Sequence, residues 1–346
     1  MPSIVKSNPR RMRLRSSLWI SIVLLAGIIL FSCLIGRYSV SFREFVIISV
    51  SHISGTPHDL PIVLETVIFK IRLPRVLAAV LVGAALAAAG ATYQSLFRNP
   101  LASPDILGVS AGAGLGAALA IFLSLPVGAI QLMAFVFGLA AVFAVYGVSR
   151  IVRGHDPILV LVLAGVVIGT LAGSCISLLK YLADPYDQLP AITFWLLGSL
   201  NAVNTSDMLV TLAMVGVGII PLHLLRWRMN LMSLGDEEAR ALGANTDALR
   251  VAFIMAATLI TAAAVSISGV IGWVGLMIPH VARLMVGPDF RALLPTSMFL
   301  GASYLLAVDD LARTIAEIEV PLGILTAFLG APFFLWLLSR SGRTWN

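Results

Sequence analysis

Ten apolar runs follow one another along this chain of 346 residues, near 16–36, 74–97, 104–125, 128–149, 157–182, 207–225, 249–268, 271–286, 292–309 and 321–339. A helix rises 1.5 Å per residue and the hydrocarbon core of a bilayer is about 30 Å thick, so about 20 apolar residues suffice to cross it. The eighth run is short and carries Pro279. Composition agrees: 59% of residues are hydrophobic and 12% are charged, against about 25% charged in a soluble domain. Mean hydropathy is +0.98. The chain is therefore predicted to be all-α, a polytopic membrane protein with about ten transmembrane helices in one domain over residues 1–346. Its net charge of +6 belongs at the membrane rim and not to a nucleic-acid footprint.

The polar links set the orientation. A basic cluster (Arg10, Arg11, Arg13, Arg15) precedes the run from Ser16 to Gly36, which is long enough to span, so an uncleaved first helix is expected. An even number of spans puts both termini on one side. With the termini cytoplasmic, only Arg37, Arg43, Lys70, Arg72, Arg75, Lys180 and Arg313 of the 23 Lys and Arg fall outside, which the positive-inside rule favours. The longest polar stretches are 37–70 and 183–206 outside and 226–248 inside. None is large enough to fold alone as a catalytic domain. Ser103-Pro104 and Asp156-Pro157 each place a capping oxygen before a proline suited to a first helical position, and Thr205-Ser206-Asp207 offers a cap without the proline.

Several short elements stand out between and within the spans. Arg98–Ser110 is a polar, proline-broken turn between two small-residue helices. The loop 234–247 opens with Gly235, Asp236, Glu237 and Glu238, continues through Ala239, Arg240 and Leu242, and reaches Gly243. Three acids suit the positive end of a short helix and Gly243 is placed to close it; Asn245 or Thr246 could cap a second helix toward Arg250. Two short amphipathic helices on a cytoplasmic loop would make a docking knob. Arg72-Leu73-Pro74-Arg75 lies outside, and Asp309-Asp310-Leu311-Ala312-Arg313 lies at the outer end of the ninth span. Spacing leaves two readings open for these: arginines snorkelling to lipid with an i,i+4 pair from Asp309 to Arg313, or a cationic ring that docks an acidic partner. Gly165, Gly169 and Gly173 recur every four residues, as do Gly83, Ala87 and Ala91. Such stripes serve as close packing seams or, alternatively, line a path that slides cargo past.

The remaining polar residues suggest no chemistry. Cys33 and Cys175 sit in separate apolar runs, as small core residues do. His280, beside Pro279, is expected to satisfy a backbone carbonyl freed by the kink, and His52 and His58 have no ligand cluster around them. The sequence contains no P-loop pattern, no nucleophile–base pair and no run of intramembrane acids. No catalytic residue, metal site or cofactor is therefore expected in this chain. It is read as a mover of cargo energised from elsewhere, and an ion-coupled secondary transporter, which would want a buried carboxylate, is the reading from a different class.

Taken in order, these elements resemble the iron-siderophore and vitamin B12 permeases of ABC importers, the FecCD type. The resemblance runs from Arg72-Leu73-Pro74-Arg75 through Asn99–Ser110, Leu163-Ala164-Gly165-Val166, Trp195–Leu200, the loop at 234–243, Gly275–Arg283 and Asp309–Arg313 to Pro321-Leu322-Gly323 and Leu329–Pro332, about residues 70–340. It implies the type II importer permease fold: a ten-helix protomer in the cell inner membrane that homodimerises around a translocation path. Two copies of an ABC ATPase, which carry the ATP and Mg, dock on the loop 234–243. A periplasmic or lipid-anchored substrate-binding protein docks outside, and Arg72, Arg75 and Arg313 match the family's docking arginines. Gates are not marked by a motif; Gly154–Pro157 and the start of the fifth span are candidates. Asp310 stands where the family usually has an apolar residue. The wording Ala102-Ser103-Pro104-Asp105 points to a ferric siderophore before cobalamin, with haem and molybdate also carried within the family.

Overall fold

The computed structural model describes residues 9–36, 38–57, 59–152 and 157–341. His58 and the expected Asp156 cap with its Gly154–Asp156 turn lie outside the described residues. In chain order the helices are α1 (Pro9–Leu34), α2 (Phe42–Ser54), α3 (Ile62–Glu65), α4 (Leu73–Leu96), α5 (Val109–Phe122), α6 (Val127–Ile151), α7 (Pro157–Leu182) and α8 (Gln188–Leu197). They continue with α9 (Thr205–Leu224), α10 (Arg226–Met232), α11 (Asp236–Ala241), α12 (Thr246–Ser268), α13 (Val274–Val286), α14 (Phe290–Thr314) and α15 (Leu322–Ser341). Among the described residues there is no strand.

The organising element is α4, whose Ala- and Gly-rich sequence is buried along almost its whole length. It packs against α12, α13 and α14, with α1 lying mainly on α14, while α5, α6 and α7 form a second group and α9 lies on α12. Between helices in lipid there is little hydrophobic contrast, so close backbone approach supplies the attraction. That approach is extreme where α4 crosses α14: a Cβ at Gly83 would strike the Gly301 carbonyl oxygen, and one at Gly301 would strike that of Gly83.

Seven helices are long and apolar enough to cross a membrane among the described residues, starting with Ser17–Leu34 and Ile62–Leu96. The expected span at 321–339 is matched by α15, whereas those at 104–125 and 271–286 are realised as the shorter apolar helices Val109–Phe122 and Val274–Val286. Both shortenings have visible causes. Residues Pro104–Leu107 form a separate 3₁₀ turn ended by Gly108 at φ 75°, so α5 starts only at Val109. After α12 the chain leaves the helix at Gly269 and runs to Trp273, which sits at φ 70° with the Val274 N–H donating to the Gly272 carbonyl at 2.9 Å. This is a γ-turn of the strained, positive-φ hand, centred on a bulky residue. It sets α13 down beside Gly90, late in α4, where the Gly275 carbonyl touches the glycine.

Other local expectations shift for equally local reasons. The Arg72–Arg75 element is not a loop before a helix. Residues Ile62–Leu96 form one continuous helix with a π-helical stretch at Thr66–Arg72, and Leu73 N–H reaches back to Ile68. The wider turn relieves the crowding that Pro74 would otherwise bring to the preceding carbonyls. Residues 183–206 are not wholly polar link, since α8 lies within them. Ser103 makes no side-chain cap. At α9 the cap is Asn204, in a reciprocal box with Asp207, in place of the expected Thr205-Ser206. His280 does not serve the kink as expected: its Nδ1 has no hydrogen-bond partner, and the Leu276 carbonyl one turn before it accepts from Gln94 Nε2 at 2.9 Å.

Candidate functional site

Two constellations lie at opposite ends of the bundle. Asn230, on α10, accepts from the Phe290 N–H at 2.9 Å and donates to Asp289 at 2.7 Å, which fixes the 226–248 loop beside the start of α14. Asp309 and Arg313 lie at the other end of that helix. Its 25 residues span about 37 Å at 1.5 Å per residue.

At the arginine end the geometry is built around Arg75. Its Nε and Nη2 donate to Asp309 at 2.9–3.1 Å, and its Nη1 donates to both Glu319 oxygens at 3.1 and 3.0 Å. Asp309 is wholly buried and is also paired with Arg313 Nε at 3.2 Å, so the expected i,i+4 pair exists but inside the protein and shared. Arg313 pairs with Asp310 as well, and Ser32 on α1 joins them: its hydroxyl donates to Asp310 at 2.7 Å and accepts from Arg313 at 2.8 Å. Arg72 is turned inward. Its Nη1 donates to the Cys33 and Leu34 carbonyls at 2.8 and 3.0 Å, and its Nη2 to the Tyr38 carbonyl, so it caps the C-terminus of α1. Arg75 and Arg313 thus share Asp309, Asp310 and Glu319 between them. Buried acids are thus present in α14, each facing an arginine. Their burial was not visible in the sequence, because it depends on Arg75 of α4 and Ser32 of α1, which lie far from α14 along the chain.

At the loop end the expected short helix forms as α11, with Asp236, Glu237 and Glu238 in its first turn. Gly243, at φ 80°, closes it: its N–H donates to the Arg240 carbonyl and the Ala244 N–H to that of Ala239, both at 2.9 Å. Only a left-handed residue permits this paired return, which explains the glycine. Asn245 accepts from the Ala248 N–H at 3.1 Å and starts α12. Arg250, in the first turns of α12, holds Asp236 at 2.6 Å, and Arg240 donates to Thr246 at 2.9 Å. Ala239 is buried beneath the helix, while Glu237, Glu238, Arg240 and Leu242 face outward. Gly235, at φ 130°, precedes the helix and is buried. Asp236 is therefore an internal brace, and the outward face belongs to its neighbours.

The glycine stripe on α7 divides. Gly165 packs on the Ile106 carbonyl and Gly169 lies near Ala111, but Gly173 has nothing within 4 Å. Beside it an exposed face carries Thr170, Ser174 and Ser177, each hydroxyl returned to a carbonyl of its own helix at 2.8–3.0 Å. That hydroxyl row was not singled out in the sequence; its i, i+4, i+7 spacing was the available signal. Among the described residues no group of three or more His, Cys, Asp and Glu is placed to hold a metal ion.

The FecCD transport family matches residues 13–340. A probable iron chelatin transport system permease protein of Helicobacter pylori is 44% identical over 80% of this chain and 84% of its own length. The molybdate import permease MolB of Haemophilus influenzae is 39% identical over 89% of this chain and 91% of its own. The hemin transport permease HmuU of Yersinia pestis is 43% identical over 78% and 82%. A solved metal-chelate type ABC transporter in an inward-facing conformation superposes with a TM-score of 0.84 at 38% identity, covering 93% of this chain and 98% of that one. The all-helical bundle, the turn at Asn99–Ser110 and these matches agree, and the chain belongs to the FecCD family of ABC transporter permeases.

Proposed function

We propose that this chain is the transmembrane subunit of an importer that takes up a chelated metal compound across the cell inner membrane, with ferric siderophore as the first cargo to test. The observation that carries this reading is the outward-facing knob of α11, braced to α12 through Arg250 and Asp236. A rigid knob at the head of a core helix can pass a push from an attached motor into the bundle. The loop end then faces the cytoplasm, as do both termini, and two separate ATPase subunits, which supply ATP and Mg chemistry, seat the knobs of a homodimer. Glu237, Glu238, Arg240 and Leu242 make the contact; Gly235, Asp236, Ala239 and Gly243 shape it.

The arginine end faces the substrate-binding protein. Arg75 reaches the surface through its part-exposed partner Glu319; Arg313, buried to the same degree, borders a second opening beside Gly36 and Thr314, and Arg72 shapes the platform from within. The translocation path runs between the two copies. The exposed face of α7 supports this: self-satisfied hydroxyls among apolar side chains offer a bulky chelate no strong grip. Relatives named for iron chelate, hemin, cobalamin and molybdate share this frame, so cargo choice rests with cavity shape and with the binding protein.

Reconstitution with the ATPase and the binding protein, followed by uptake of labelled ferric siderophore, haem, cobalamin and molybdate, tests the reading. Uptake of one cargo that needs ATP, and that falls at least about tenfold in Glu237→Ala/Glu238→Ala without loss of the folded permease, is the expected result. Uptake that ignores ATP and follows an imposed ion gradient would replace the importer with an ion-coupled carrier.

A further inference from the structure

The two halves of the Arg75 guanidinium live in different surroundings. The inner half is held by Asp309, whose side chain is 0% exposed; the outer Nη1 is held by Glu319, whose side chain is 26% exposed. Breaking the inner pair would leave a buried charge uncompensated, while the outer pair is the kind that water and other carboxylates can replace. Glu319 sits on the short non-helical link between α14 and α15, beside a cavity of about 590 Å³ whose wall includes Ser199, Asn201 and Leu322. The tip of that link is Ile318, 83% exposed, with Ile315 also exposed near it. An apolar tip next to a replaceable ion pair has the make-up of a contact surface, not of a sealed core.

From this asymmetry we infer that Glu319 is an internal stand-in for a carboxylate of the docking protein. It occupies Arg75 Nη1 while the permease is alone and is exchanged for the partner's carboxylate on docking. The inference rests on the docking reading above and adds what docking does. Because one carboxylate replaces another, the charge balance around Arg75 and Asp309 is kept throughout. What changes is the link.

The link is wired to three elements. The Val320 N–H donates to the Ala312 carbonyl of α14 at 3.2 Å, and the Leu322 N–H donates to the Gly198 carbonyl, at the end of α8, at 3.0 Å. Gly323 then lies so close to the Leu197 and Val270 carbonyls that a Cβ there would sit 2.5 and 3.0 Å from them. Release of Glu319 therefore acts on the first turn of α15, on the end of α8 and on the Gly269–Trp273 break together. Docking is converted into freedom for α15 without disturbing the α4–α14 core.

The test uses the permease with its ATPase in nanodiscs, titrated with the purified substrate-binding protein of the same transport system. Glu319→Gln removes the internal competitor and should tighten binding about fivefold. Arg75→Gln should weaken it about tenfold or more, and Glu319→Gln should add nothing in the Arg75→Gln background. Hydrogen exchange in the first turn of α15 should quicken when the binding protein is added, and should already be quick in Glu319→Gln. If Arg75→Gln weakens binding but Glu319→Gln leaves it unchanged or weaker while the ATPase stays bound, the exchange is wrong and docking through Arg75 survives. If Arg75→Gln leaves binding unchanged, the docking reading itself fails and the exchange fails with it.

Discussion

The two ends of this molecule solve the problem of placing charge near a membrane in opposite ways. At the arginine end the charges come from segments far apart in the chain, Arg75 and Asp309 being 234 positions apart, and most of them are buried and paired with one another. At the loop end they are local: Asp236 and Arg250 are 14 residues apart, and most of the other charged groups of α11 face outward. A buried, long-range network makes a platform that resists deformation. A local, shallow one makes a knob that keeps its own shape while the elements beneath it move.

The comparison breaks most decisively at Asp309. Asp309→Ala leaves Arg75 without its buried partner, and the purified protein should lose about 3–5 kcal/mol of stability, read as a lowered unfolding midpoint in nanodiscs. The joint change Arg75→Gln/Asp309→Asn should cost less than either single change, because the one carboxylate left without its arginine, Glu319, is part-exposed and Arg313 keeps Asp310. A loss below about 1 kcal/mol for Asp309→Ala would make this end a surface network and erase the contrast.

Next in size is Arg250→Ala at the loop end. The cost should stay within about 1.5–3 kcal/mol, the range for hydrogen bonds to charged groups, but coupling of the ATPase to transport should collapse. Exchanging the pair, Arg250→Asp with Asp236→Arg, should recover part of that coupling. Recovery of stability without recovery of coupling would show that the brace only folds the loop and transmits nothing.

How much of this was legible beforehand follows the same divide. The α11 helix could be read in full, since three acids, Gly243 and Asn245 act through neighbours in sequence. The cap at Asn204 was missed by one residue because Thr205 and Ser206 carry the same chemistry next to it. The Arg75–Asp309–Glu319 arrangement could not be read at all: each residue announces a charge, and none announces a partner on another helix. Nor does any local signal predict the break at Trp273, where a bulky residue takes a conformation its own sterics disfavour. Packing on α15 holds it there, with the indole over Gly330 and edge-on to Phe334.

The smallest effect sharpens the comparison from the loop side. Asn245→Ala removes one capping bond and should cost about 1 kcal/mol. Hydrogen exchange should quicken in the first turn of α12 and stay unchanged in α14 near Asp309. Spread of the effect to the arginine end would mean that the two ends are one cooperative unit.

The distance along the chain between Arg75 and its acids also bears on how the protein is made. At about 5–20 residues per second, the 234 residues that separate Arg75 from Asp309 take on the order of 10–50 s to synthesise. For that interval α4 is in the membrane with its charge unmatched, which is tolerable because Arg75 lies in the first turn of α4 and its long stem can reach the interface. Only when α14 and the link to α15 arrive, bringing Asp309 and Glu319, can the charge be drawn inward and the helix settle against Gly301. The last quarter of the chain thus completes the first, and a nascent chain cut short before it carries an exposed arginine as a mark of its own incompleteness.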